Sequence, residues 1–332
     1  TILYDTLIYD YATHDRVMIF HADMYLCPKA DEEIDKYLEP GKVVSLTRIE
    51  PPLHPDGPEK VLVDFGIEPE EFDEEGLLEW VNQWGESKEK VTDGIFAPWC
   101  IMKDDFTRIN GHDPLFAPQS KEDSDIFNRF MLAGYEFIQT WDGFVYHMTC
   151  RGSRFKDGAK RNPDGQVFMK NRESVEWLKQ NLRSTRNFIR KWGSMVNHTN
   201  LLKPIIPPKY DIGFILHNCT APLLYELEPY CNHVYLKDDS LFKDYIEKEQ
   251  PDTNYDLGSK LATFEVKPFN DVLIEFDVSM LNNTNFTQIF LQLPNILQES
   301  GEPDSDFILD IFKIKTKTLD NQVDTLVNSV CK

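Results

Sequence analysis

The sequence predicts an α/β protein: a mixed, mostly parallel sheet flanked by helices, followed by a second, smaller α/β domain. Three observations carry this expectation. Short β-favouring apolar runs such as Val17 to Phe20 and Val43 to Ile49 alternate with stretches whose apolar residues fall three and four apart. The proline-bearing stretch from Leu201 to Lys209 separates two such series and reads as a linker. A chain of 332 residues is long enough for about two domains of ~150 residues, each with its own core. The expected division is therefore 1–158 as a first domain, 159–200 as a basic loop and packing helix, 201–209 as the linker and 210–332 as the second domain.

Composition narrows the function classes. A formal net charge of -21 argues against a broad nucleic-acid interface, which needs clustered Lys and Arg. No apolar run approaches the ~20 residues of a membrane span, and the opening lacks the pattern of a secretory leader. The six cysteines form no C-x-x-C pair, so reduced thiols and a cytoplasmic location are expected.

The chain opens on Thr1 with a helical pattern, Leu3, Leu7 and Tyr11. An α/β domain that starts on a helix leads us to expect that its first strands are missing. Arg16 to Phe20 is the organising strand, read as buried on both faces of a parallel sheet. Ligands in open α/β sheets bind beyond the carboxyl ends of strands, which is where His21 and Asp23 fall. If the chain stays extended through Ala22, both side chains point to one side and can hold Mn²⁺ or Mg²⁺. The other reading of His-x-Asp at a strand end is a hydrogen-bonded pair.

Ala30 to Leu38 is expected to be a short helix stopped by Pro40-Gly41, and Lys42 to Ile49 a strand. Prolines make 51–58 a loop, and Lys60 to Phe65 forms a further strand. Leu77, Leu78, Val81 and Trp84 mark a helix whose many acids form its solvated face. Ile95 to Met102 is extended, and Lys103 to Ile109 is one helical turn ended by Asn110-Gly111. Glu122, Asp123 and Asp125 then open a helix that stops at Gly134. One acid in that first turn is expected for stability alone, and three exceed the need. A carboxylate held there beside a pocket suits a general base. Tyr135 to Trp141 reads as a strand, Asp142-Gly143 as a turn, and Val145 to His147 as an apolar piece ending in a second histidine.

Phe20-His21-Ala22-Asp23, the Trp99 strand, Asn110-Gly111-His112-Asp113, Glu122-Asp123-Ser124-Asp125, Gly134-Tyr135 and His147 follow one another as landmarks. In this order they resemble GT-A-fold glycosyltransferases similar to family two, over roughly residues 1 to 155. In that family an Asp-x-Asp-like motif binds a divalent cation and the diphosphate of a nucleotide-sugar donor. The resemblance implies Asp23 as the principal ligand of Mn²⁺ or Mg²⁺ and of the donor, with His21 in place of the first acid. It implies His147 as the third metal ligand, Asp123 as the base of an inverting transfer and Glu122 as its neighbour. Asp113 would touch donor or acceptor sugar. The sequence departs from the family in that histidine and in lacking an upstream nucleotide-binding strand.

Arg151, Arg154, Lys156, Lys160 and Arg161 follow in a basic segment, read either as a solvated loop or as one that closes over a diphosphate, with Arg151 and Arg154 favoured. Glu173 to Trp192 is a helix with Val175, Leu178, Leu182, Ile189 and Trp192 on one stripe. Strands are expected at Tyr210 to Leu216, His233 to Leu236, Phe264 to Val266, Val272 to Val278 and Phe307 to Lys315. Helices are expected at Ala221 to Tyr230, Ser240 to Glu249 and Phe286 to Gln298. The second domain shows no phosphate loop or nucleophile elbow. His217-Asn218-Cys219 is its only constellation, read as structural.

The expected function is thus metal-dependent transfer of a sugar from a nucleotide-sugar donor to a glycan or other hydroxyl acceptor. The alternatives are a metal-dependent hydrolase, which needs more ligands than surround position 21, and a non-catalytic carbohydrate-binding or assembly protein.

Overall fold

A computed structural model describes residues 1–52, 56–84, 89–148 and 173–327. The chain falls into two compact units. One comprises Thr1–Asn181 with Asn197–Ile205, and the other Leu182–Val196 with the residues from Ile206 onward. Residues 201–205, expected in a linker, are thus part of the first unit. The Leu201 carbonyl accepts the Ile95 N–H at 3.3 Å, and Lys203 pairs with Asp93 at 2.7 Å.

The first unit is built on a mixed sheet of β1 (Arg16–Ile19), β2 (Met24–Leu26), β3 (Lys42–Glu50), β4 (Lys60–Leu62), β5 (Val91–Thr92), β6 (Trp99–Met102) and β7 (Glu136–His147). Its order is β1-β6-β3-β7-β2, with β4 beside β3 and β5 beside β7. Only β3–β7 and β3–β4 are parallel. The β1–β6, β3–β6, β2–β7 and β5–β7 pairs are antiparallel, so the sheet is not mostly parallel as expected. The direction of β1 nevertheless agrees with β3 and β7, because two antiparallel steps through β6 restore it.

β1 is not buried on both faces. Its exposure alternates, with Val17 and Ile19 inside, and β6 is its one partner among the described residues. The chain then turns at Ala22-Asp23, the Met24 N–H bonding the His21 carbonyl at 3.2 Å, instead of staying extended. β2, which no sequence pattern announced, crosses to the far end of the sheet and pairs with β7 in the register Met24–His147.

Helices α1 (Ile2–Thr6), α2 (Ala30–Asp35), α3 (Glu74–Trp84), α4 (Lys103–Arg108) and α5 (Glu122–Leu132) accompany this sheet. The opening stripe is not a core face: Leu3, Leu7 and Tyr11 are exposed, whereas Ile8 is buried and Tyr4 packs on the core. Leu7–Tyr11 is a π-turn, with Ala12 N–H bonded to the Leu7 carbonyl at 2.8 Å, and its wider turn rotates the stripe out of phase. Asp142-Gly143 is no turn either. β7 runs straight through it as a bulge, Leu46 pairing with Thr140 and Thr47 with Phe144. A Cβ at Gly143 would lie 2.6 Å from Leu46 Cδ2, so glycine is needed for that close approach.

The helix α6 (Val175–Trp192) carries the division between the units. Its expected single stripe splits: Ile189 and Trp192 are buried, while Val175, Leu178 and Leu182 are exposed.

In the second unit the sheet order is β10-β9-β8-β11-β13-β12, from β8 (Ile212–His217), β9 (His233–Leu236), β10 (Leu261–Thr263), β11 (Val272–Asp277), β12 (Asp306–Leu309) and β13 (Phe312–Thr316). The first four strands are parallel, and a hairpin is added antiparallel. Its helices are α7 (Ala221–Leu227), α8 (Phe242–Glu249), α9 (Leu257–Lys260), α10 (Asn283–Gln288) and α11 (Leu293–Ser300). Phe264 to Val266 lies in the turn after β10, three residues past where the strand forms. Phe307 to Lys315 bends into the hairpin at Asp310, whose φ of 53° breaks the strand. The helix expected over 286–298 breaks near Ile289 and restarts with Pro294 in the first turn of α11.

Candidate metal centre

The carboxyl ends of β1, β3 and β7 meet on one side of the first unit. Just beyond them, His21, Asp23 and His147 bring one ligand atom each to within 4.8 Å of one another. Strand pairing explains how. The Met24–His147 register holds Asp23 beside β7, and the Met148 N–H locks the turn by bonding the Asp23 carbonyl at 2.9 Å. His21 and Asp23 therefore converge through a turn and a crossover, not through strand periodicity.

The donor set suits a divalent cation. Two imidazole nitrogens and one carboxylate are ligands accepted by Mn²⁺ and other first-row ions, and Mg²⁺ takes oxygen donors more readily. His147 Nε2 stands 3.5 Å from Asp23 Oδ2, longer than a good hydrogen bond. Donors that share an ion at ~2.1 Å lie ~3–3.5 Å apart at tetrahedral or octahedral angles. The opposite nitrogen, His147 Nδ1, is 2.8 Å from Glu50 Oε1.

Charge is balanced tightly here. Burial pulls the Asp23 carboxyl up, but the nearby His147 imidazole and the charge of His21 outweigh it and hold it below the ordinary range. Burial acts on Glu50 in the same sense and is likewise outweighed, by His147, Arg48 and Lys60, leaving it at about 2. For His147 burial lowers the value, yet Asp23 and Glu50 leave it raised.

Tyr4 connects this cluster to the start of α5. Its ring stacks on His21 at 6.3 Å and 25°. Burial, with the charges of Asp123, Glu122 and Asp23, pushes its hydroxyl up to about 12. All three carboxylates thus act on one phenol. Glu122 is itself pushed up to about 7, by burial first and then by the charge of Asp123.

The third acid of that turn has another task. Asp125 is fully buried against Arg129 Nε at 2.9 Å, and the Arg129 guanidinium donates to the Ile109 and Gly111 carbonyls at 2.7 Å each. This pins the loop carrying Asp113, whose Oδ1 accepts the Leu115 N–H at 3.0 Å as the cap of a short 3-10 turn. Arg151 and Arg154 lie outside the described residues. In the second unit His217 pairs with Glu275, Asn218 with Asp277, and the Cys219 thiol with the Thr220 carbonyl.

Sequence reasoning passed over Glu50 and Tyr4. Glu50 left a signal: Arg48 and Glu50 continue the face that Val44 and Leu46 occupy in the same strand, where apolar residues would normally follow. Tyr4 left none, because a tyrosine in an apolar helix reads as core.

Cys27, Cys100, Cys219 and Cys231 are free thiols, and no helix among the described residues is long and apolar enough to cross a membrane. No protein-family model matches the chain, and no curated protein matches it.

Proposed function

We propose that the first unit is a metal-dependent glycosyltransferase that moves a sugar from a nucleotide-sugar donor to a hydroxyl acceptor with inversion. The observation that carries this reading is the convergence of His21, Asp23 and His147 at the strand ends, with two further carboxylates acting on the same tyrosine. His21, Asp23 and His147 would hold Mn²⁺ or Mg²⁺. Once bound, the ion supplies positive charge to the leaving diphosphate.

The remaining steps fall to the chain's own groups. The Glu122–Asp123 pair takes the proton from the acceptor hydroxyl as its oxygen attacks the anomeric carbon from the face opposite the leaving group. A single displacement inverts that centre. A carboxyl near 7 is suited to this work, since it is available as a base at neutral pH yet basic enough to accept the proton. Tyr4 keeps its proton throughout that range and offers a hydrogen-bond donor between His21 and the pair.

The test titrates the chain with Mn²⁺ and a panel of nucleotide sugars by calorimetry, then assays transfer to hydroxyl acceptors. Asp23→Asn is expected to weaken metal-dependent donor binding at least about 10-fold. Glu122→Gln is expected to keep donor binding while transfer falls about 10²- to 10⁴-fold. A folded wild-type chain that binds no nucleotide sugar with metal present would sink the proposal.

A further inference from the structure

Behind His147 lie four charged side chains, Arg48, Glu50, Glu59 and Lys60, none more than 10% exposed. Arg48 Nη1 donates to Glu50 Oε1 at 2.7 Å and Nη2 to Glu59 Oε1 at 3.2 Å. Lys60 Nζ is 3.1 Å from Glu50 Oε2, and the Arg48 guanidinium sits 3.9 Å over the Phe96 ring. Desolvating four charges is costly, and well-packed apolar residues of similar volume would stabilise such a site as well or better. Stability alone therefore does not account for the cluster.

Among the described residues, Glu50 Oε1 links it to the metal-capable side chains, because it also meets His147 Nδ1 at 2.8 Å. We propose that Glu50, held in place by Arg48 and Lys60, is a positioning residue that fixes His147 as a metal ligand. A neutral imidazole has one donor and one acceptor nitrogen. A carboxylate accepts only, so Nδ1 must carry the proton and Nε2 must present its lone pair on the side of Asp23. Two cations and two carboxylates make the cluster neutral in itself. Glu50 can thus orient the ring without the ligand set having to neutralise it. This role rests on the metal-centre reading and adds to it a residue that does not touch the ion.

The test uses the full chain and Mn²⁺ alone, with no donor sugar. Calorimetry and manganese electron paramagnetic resonance measure affinity, and ¹⁵N NMR of the histidine-labelled, metal-free protein at alkaline pH reads the His147 tautomer. Glu50→Gln is expected to weaken Mn²⁺ about 10- to 100-fold and to turn the single Nδ1–H tautomer into a mixture, because an amide can donate as well as accept. Glu50→Gln combined with Lys60→Met restores the charge balance. It is expected to unfold like the parent and still bind Mn²⁺ weakly, which separates positioning from loss of fold. A folded variant that binds Mn²⁺ as tightly as the parent, or keeps the same tautomer, overturns the role of Glu50. Failure of the parent chain itself to bind Mn²⁺ overturns the metal centre and this role together, and is told apart because the deficit is already present without a substitution.

Discussion

Glu122 is the residue whose chemistry is most exposed to a direct test. With its carboxyl near 7, sugar transfer is expected to rise with pH through about 7 as the proton is lost and the base form appears. Part of that elevation comes from the neighbouring negative charge. Asp123→Asn removes this charge, so the inflection in its residual activity is expected at lower pH than in the wild type. A pH profile of kcat/KM for both proteins checks this, and an inflection that stays in place would show that Asp123 does not act on Glu122. The acids of this turn also divide by task in a way their spacing does not reveal. Asp125 is consumed by Arg129, while the charges of Glu122 and Asp123 act on Tyr4.

Among the elements, β7 does the most to assemble the site, because it pairs with both β3 and β2 and ends in His147. Its bulge at residues 141–143 resets the pairing just before the stretch from Phe144 to His147. Gly143→Ala places a methyl against the buried Leu46 side chain and is expected to destabilise the first unit by about 1–3 kcal/mol. Urea unfolding measures this, and an unchanged midpoint would mean that Leu46 yields freely. The Asp-Gly pair was read as a turn because such pairs usually close one. Here the same glycine lets a strand continue past a side chain. The stripe of α6 makes a similar point, since periodicity shows that Val175, Leu178 and Leu182 share a face but not whether anything covers it.

For the molecule as a whole, acid stability should be governed in the second unit by Glu228. It is buried with Arg190, Tyr245 and Lys260, Arg190 Nη2 lying 2.7 Å and the Tyr245 hydroxyl 2.7 Å from Glu228 Oε2. Burial pushes its carboxyl up, but Lys260 and Arg190 outweigh it and hold it at about 2. A carboxyl depressed on folding contributes stability above its unfolded value of about 4.5, and that contribution is lost as pH falls from there through about 2. Glu228→Gln leaves Lys260 buried without its carboxylate and Arg190 with Glu249 alone, and is expected to cost about 3–5 kcal/mol at neutral pH. The gap between variant and wild type should narrow as pH falls below about 4.5, which denaturant titrations at several pH values measure; a gap independent of pH would exclude the role.

Most elements of both units could be read from residues close together in the chain. The strands at Arg16, Lys42, Ile212, His233 and Val272 follow from β-favouring apolar runs, and α5 from acids at its start and Gly134 at its end. Such features depend on backbone and side-chain preferences that act over a few residues, so the sequence by itself determined them. It also singled out His21, Asp23 and His147 as metal-capable residues near strand ends. What only the tertiary structure decided is which strands lie side by side, in which direction and in what register. The antiparallel β1–β6 pair, the crossover to β2, the bulge in β7 and the burial of Glu50 beneath His147 all depend on contacts between residues far apart in the chain. Their free energies come from burial and hydrogen bonding across the sheet, and local sequence patterns carry no record of the partner.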